Sequence, residues 1–97
     1  MPKGYWIAHG DVTEPAAYEE YRQANAVAFE KFGARFLVRG GAQTVVEGEQ
    51  RARAVVLEFD SLETAQACYD SPEYQAALQK RLGAARSDLI IVEGYDG

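Results

Sequence analysis

The 97-residue chain carries 15 acidic against 10 basic side chains, a formal net charge of −5, with a single cysteine and a single histidine. That balance argues against a nucleic-acid partner, which needs a basic stripe to displace counterions from phosphates. Cys68 has no second cysteine to pair with, and one Cys plus one His cannot complete a four-ligand structural zinc site.

Nearly half the residues are hydrophobic (47%) and about a quarter charged (26%), the composition of an ordinary globular chain. No apolar run approaches the roughly 18–20 residues of a membrane span. The opening Met-Pro-Lys-Gly-Tyr-Trp lacks the apolar stretch of a signal peptide, so the expected home is the cytoplasm, away from membranes. One domain over residues 1–97 is expected.

In chain order, residues 5–11 read as a first strand. Thr13-Glu14-Pro15 opens a helix, with Thr13 as the expected N-cap and the proline in the first turn. Tyr18, Tyr21, Ala28, Phe29 and Phe32 then recur at helical spacing, and Gly33 ends the run. A second strand covers 35–40 and enters Gly40-Gly41. Residues 42–52 are polar around Glu47-Gly48 and suggest a hairpin whose arms extend the flanking strands. The third strand covers 54–59. Ser61 caps a short helix, Ser71-Pro72 restarts a helix in a new direction, and a last strand covers 89–94. The order β-α-β-β-α-β, with the second helix broken at Pro72, gives an α+β, ferredoxin-like domain. Its four-stranded antiparallel sheet is expected in the strand order 4-1-3-2.

Side chains alternate across a strand, so each strand divides into two faces. One set (Trp6, Ala8, Phe36, Val38, Val55, Leu57, Phe59, Ile90 and Val92) is wholly apolar and calls for helices. The other (Tyr5, Ile7, His9, Arg35, Leu37, Arg39, Val56, Glu58, Leu89, Ile91 and Glu93) mixes apolar and ionisable groups. Such a face suits a lined cavity. Left bare, its apolar members form a patch of the size that recruits a partner, and a two-fold homodimer with its sheets face to face is the economical solution.

The segments Arg39-Gly40-Gly41, Glu58-Phe59, Tyr69-Asp70-Ser71-Pro72-Glu73-Tyr74-Gln75, Arg81 and Val92-Glu93-Gly94 resemble the small bacterial domain-of-unknown-function family numbered thirteen-thirty, over nearly the whole chain. The resemblance implies a dimeric α/β-barrel, in a superfamily with cofactor-free monooxygenases, lactone isomerases and haem-degrading enzymes. It implies no activity. Asp60 and Cys68 depart from the family pattern, which more often has a proline and an aromatic there. The haem-degrading members use a helix-borne histidine as iron ligand, and no helix expected here has one. No bound cofactor is expected.

Arg39, Glu58 and Glu93 fall on the mixed face of three strands, with Arg39 and Glu58 on neighbours. An arginine there can clamp a carboxylate or enolate oxygen, and a glutamate in a half-dry pocket can have a raised pKa and move a proton. The pair can equally be a structural ion pair that fixes register. His9 reads either as a proton shuttle at the cavity mouth or as a strand-end residue bonded to backbone. Tyr5, Tyr69, Tyr74 and Arg81 are candidate substrate-binding groups, although tyrosines at helical spacing commonly bury their rings. Cys68, with no adjacent cation, reads as an inert thiol. Two functions stay open. One is a cofactor-independent enzyme that carries out proton transfer, isomerisation or oxygenation on a small organic acid or ketone. The other is a non-catalytic dimer that binds a small molecule or is purely structural.

Overall fold

The computed structural model describes residues 2–97. Four strands, β1 (Gly4–Val12), β2 (Arg35–Arg39), β3 (Arg53–Phe59) and β4 (Ala85–Glu93), form one antiparallel sheet in the order β2-β3-β1-β4. Helices α1 (Pro15–Lys31), α2 (Leu62–Asp70) and α3 (Pro72–Arg81) complete a ferredoxin-like fold.

Local chemistry sets most boundaries. Ser61 accepts the Thr64 N–H and Ser71 accepts the Tyr74 N–H, so each short helix starts on a serine cap. The Ser71 hydroxyl also donates to Cys68 O, which ties the end of α2 to the start of α3. Helix α1 differs from expectation. Its N-cap position is Glu14, with no side-chain cap, and the Thr13 and Glu14 N–H groups both donate to Ala84 O. Gly33, at φ 67°, takes the left-handed turn that ends α1. Residues 41–52 form no strand, so the hairpin arms expected there are absent.

The core lies between helices and sheet. Trp6 is its centre: its ring meets Phe29, Tyr69 and Tyr74 edge-on and Phe59 at a tilt, with centroids 4.8–5.8 Å away. Its indole N–H donates to Ala65 O at 2.9 Å, so no buried donor is left over. Phe59, Cys68, Ala65 and Ala28 fill in around it.

Two strands depart from the expected phase. Ile91 and Leu89 pair with Trp6 and Ala8 and pack on the core, while Ile90 and Val92 pair with Ile7 and Tyr5 on the open face. The apolar run Leu89-Ile90-Ile91-Val92 has no alternation of its own, so the pairing with β1 decides its phase. In β2 a bulge falls between Phe36 and Val38. Phe36 pairs with Leu57, but Val38 pairs with Val56 and Arg39 with Val55. One extra residue, Leu37, therefore turns Val38 to the open face and Arg39 toward the helices.

Candidate functional site

A cleft opens between the sheet and helices α1 and α3, at the end of the sheet where Gly10, Arg53 and Ser87 lie side by side. Aromatic rings from Trp6, Tyr18, Tyr21, Phe29, Phe36 and Tyr74 line it. The cleft holds about 650 Å³ of space outside the protein atoms, counted through its open mouth. It is a narrow slot.

The cations along its lining are guanidinium groups. Arg22, Arg39, Arg53 and Arg81 reach it, and no aspartate or glutamate is among the lining residues. Three of these arginines rest on rings, Arg39 over Phe36 (4.4 Å), Arg81 over Tyr21 (5.2 Å) and Arg53 over Tyr18 (5.8 Å). Arg22 touches Glu19 at 3.2 Å through Nη1, on the outer side of α1. The Nε atoms of Arg22 and Arg53 are buried and have no hydrogen-bond partner. An orphaned charged donor is costly to bury, and an acceptor from a ligand would satisfy it.

The floor carries two phenols. Tyr21 and Tyr74 share a hydrogen bond at 2.8 Å, and the buried Asn25 lies within reach of the Tyr21 hydroxyl. Burial pushes both phenol pKa values upward, so both keep their protons at neutral pH. One proton is spent between the two hydroxyls, which leaves the other free to donate elsewhere.

The open face is arranged differently. Glu58 receives the Tyr5 hydroxyl at 2.8 Å and Arg35 Nε at 2.9 Å, and Arg35 also reaches Asp60 at 3.2 Å. The expected Arg39–Glu58 pair does not form, because the bulge at Leu37 sends Arg39 to the other face and Arg35 sits opposite Glu58 instead. Nor is the Glu58 pKa raised. The Tyr5 hydrogen bond first, then that from Arg35, hold the carboxyl below its usual range, the opposite of the raised pKa expected. Glu93 pairs with Gly4 at the far end of the sheet from the cleft and is not on the open face.

His9 stands at the rim, with both nitrogens engaged away from the cleft. Nδ1 accepts the Arg51 backbone N–H at 3.1 Å, so the ring proton resides on Nε2, 3.3 Å from Asp88. Arg51 donates to Asp88 and Asp11 at 2.8 and 3.1 Å, and Asp11 also accepts the Ala52 N–H. This cluster underlies a wide, shallow depression beside residues 45–51, but its polar groups already satisfy one another. Of the remaining candidates, Tyr74 and Arg81 line the cleft, whereas Tyr5 lies on the open face and Tyr69 packs against Trp6 and Tyr74. Cys68 is fully buried, and burial pushes its thiol up to about 12.

Arg22, Asn25 and Arg53 were outside the expected site. Arg53 continues the apolar register of β3 one step past Val55. Arg22 and Asn25 sit inside the stripe Tyr18, Tyr21, Ala28, Phe29 at helical spacing. Polar residues interrupting an apolar face were the available signal.

Among the described residues no cluster of His, Cys, Asp and Glu is placed to hold a metal ion, and no helix is long and apolar enough to cross a membrane. Solved structures share the fold at low identity. A protein of unknown function from Rhodopseudomonas palustris is 19% identical, with a TM-score of 0.74 over 99% of this chain and 85% of that one. SnoaB, a cofactor-independent oxygenase from Streptomyces nogalater, is 11% identical, with a TM-score of 0.65 over 100% and 97%. A dimeric protein of unknown function and ferredoxin-like fold from Bacteroides fragilis is 14% identical, with a TM-score of 0.62 over 94% and 95%. A search of curated proteins gave no match. A family model covers residues 3–95, almost the whole chain, and by that match the protein belongs to DUF1330, a family described as a domain of unknown function.

Proposed function

We propose that this chain is a single-domain homodimer, joined through its open sheet faces, that takes a small organic molecule into the cleft between sheet and helices. The observation that carries this reading is the slot itself, with aromatic walls and the unpartnered Nε atoms of Arg22 and Arg53. The dimer is supported by the exposed apolar side chains Ile7, Val38, Ile90 and Val92 on one face, and by the dimeric description of the Bacteroides fragilis neighbour. The proposed compartment is the cytoplasm.

The proposed activity is isomerisation or oxygenation of a carbanion or enolate without a bound cofactor. Its support is the likeness to the Streptomyces nogalater oxygenase together with guanidinium and phenol donors placed to stabilise an oxyanion. The second reading, a non-catalytic binding module, is favoured by the lack of any carboxylate base among the lining residues.

Incubation with panels of 1,3-diketones, hydroquinones and lactones, followed by oxygen uptake and mass analysis, tests the enzymatic reading. Turnover that disappears in Arg53→Gln is expected. Ligand-induced stabilisation with every ligand recovered unchanged leaves the binding module standing and removes the enzyme.

A further inference from the structure

We infer that the cleft selects an organic molecule already in its anionic form, a carboxylate or the conjugate base of an acidic enol or phenol. This inference rests on the cleft being the ligand site.

The charge balance of the slot is one-sided. The protein is acidic overall, at −5, yet four arginines and no carboxylate line this space. Outside it Arg35 meets Glu58 and Asp60, and Arg51 meets Asp88 and Asp11, while within it Arg22 alone meets an acid, Glu19. Among the described residues, Arg39, Arg53 and Arg81 have no carboxylate within 4.0 Å and lie against rings. A neutral ligand would leave the part-buried Arg53 and Arg81 without a counter-charge, whereas an anion would answer them and can accept from the two orphaned Nε donors.

The slot also lacks a means of making the anion. A carboxylate base is absent, and His9 at the rim has its only free lone pair committed to the Arg51 N–H. The Tyr21 and Tyr74 hydroxyls, held protonated by burial, can donate but not abstract. The ligand must therefore be acidic enough to enter deprotonated. The aromatic rings along the walls suit a ligand that is itself aromatic.

Matched probes test the inference on the full chain in its native assembly. Benzoate and 2-naphthoate, titrated calorimetrically at pH 7 against benzamide and 2-naphthamide, keep shape constant and change charge. At least one acid is expected to bind about tenfold or more tighter than its amide, the gain of a charge-assisted hydrogen bond. That preference should fall to near unity in Arg53→Gln, and should weaken in Arg81→Gln, which lies at a helix end where folding is little at risk. Acids and amides binding alike overturn the anion selection and leave the cleft as a ligand site. A preference for acids that survives both substitutions overturns it too, because the charge is then read elsewhere. No heat from any of the four probes overturns this inference and the proposed site together.

Discussion

The two faces of one sheet treat their arginines in opposite ways. On the open face and at its edge, Arg35 and Arg51 each reach two carboxylates; Tyr5 and then Arg35 hold Glu58, and Arg51 holds Asp88, below the usual carboxylate range. On the helix side, Arg39, Arg53 and Arg81 lie on aromatic rings with no acid beside them. A paired charge is explained by the fold. An unpaired one in an apolar slot asks for something from outside, and the comparison supports the helix side of the sheet as the proposed ligand side.

The sharpest way to break the comparison is to destroy the floor of the cleft. Tyr74→Ala removes a fully buried ring that touches Trp6, Tyr21, Phe29 and Tyr69. A loss of about 3–5 kcal/mol is expected from equilibrium urea unfolding. A loss below about 1 kcal/mol would mean that the slot is looser than its packing shows.

Acid should separate the faces next. The folded-state pKa values of Glu58, Asp11 and Asp88 are lowered, so their contribution is present above the unfolded carboxylate values (3.8–4.5) and is lost as pH falls through the folded ones. Melting temperature should drop below about pH 4.5, and Glu58→Gln should flatten that limb. An unchanged limb in the variant would show that the open-face network is not what acid attacks.

The smallest effect is expected from Arg39→Gln. With no acid to abandon, this exposed side chain should change stability by no more than about 0.5 kcal/mol, whereas Arg35→Gln strands Glu58 and Asp60 and should lower the melting temperature clearly. Equal shifts in the two variants would erase the distinction between the faces.

The serine caps at Ser61 and Ser71 and the apolar face through Trp6, Leu57 and Phe59 are legible, because each rests on a local pattern or a short-range hydrogen bond, and the strand order follows from the β-α-β-β-α-β order of elements. The site was legible only in part. Tyr74 and Arg81 stood in the expected set and do line the cleft. Regular alternation along β2 puts Arg39 on the mixed face beside Glu58, and the structure puts it on the other, since a bulge leaves no mark in an alternation of apolar and charged residues. Leu89 to Val92 misled for a related reason: four consecutive apolar residues carry no phase, and only the hydrogen bonds to β1 supply one. Glu58 was expected to be poised for proton transfer. Its partners Tyr5 and Arg35 are 53 and 23 residues away in sequence, and such long-range contacts are invisible in a single chain read locally.

The bulge at Leu37 also fixes how many cations the slot can offer. Were Leu37 to take up regular pairing opposite Val56, Val38 would turn to the core side and Arg39 to the open face, close to where a second subunit is proposed to dock. A slip of one residue in pairing, with no change in sequence, would then move a cation from the cleft to the face proposed to meet a partner. The pairing of β2 on β3 thus couples the charge of the proposed ligand site to that of the proposed dimer face.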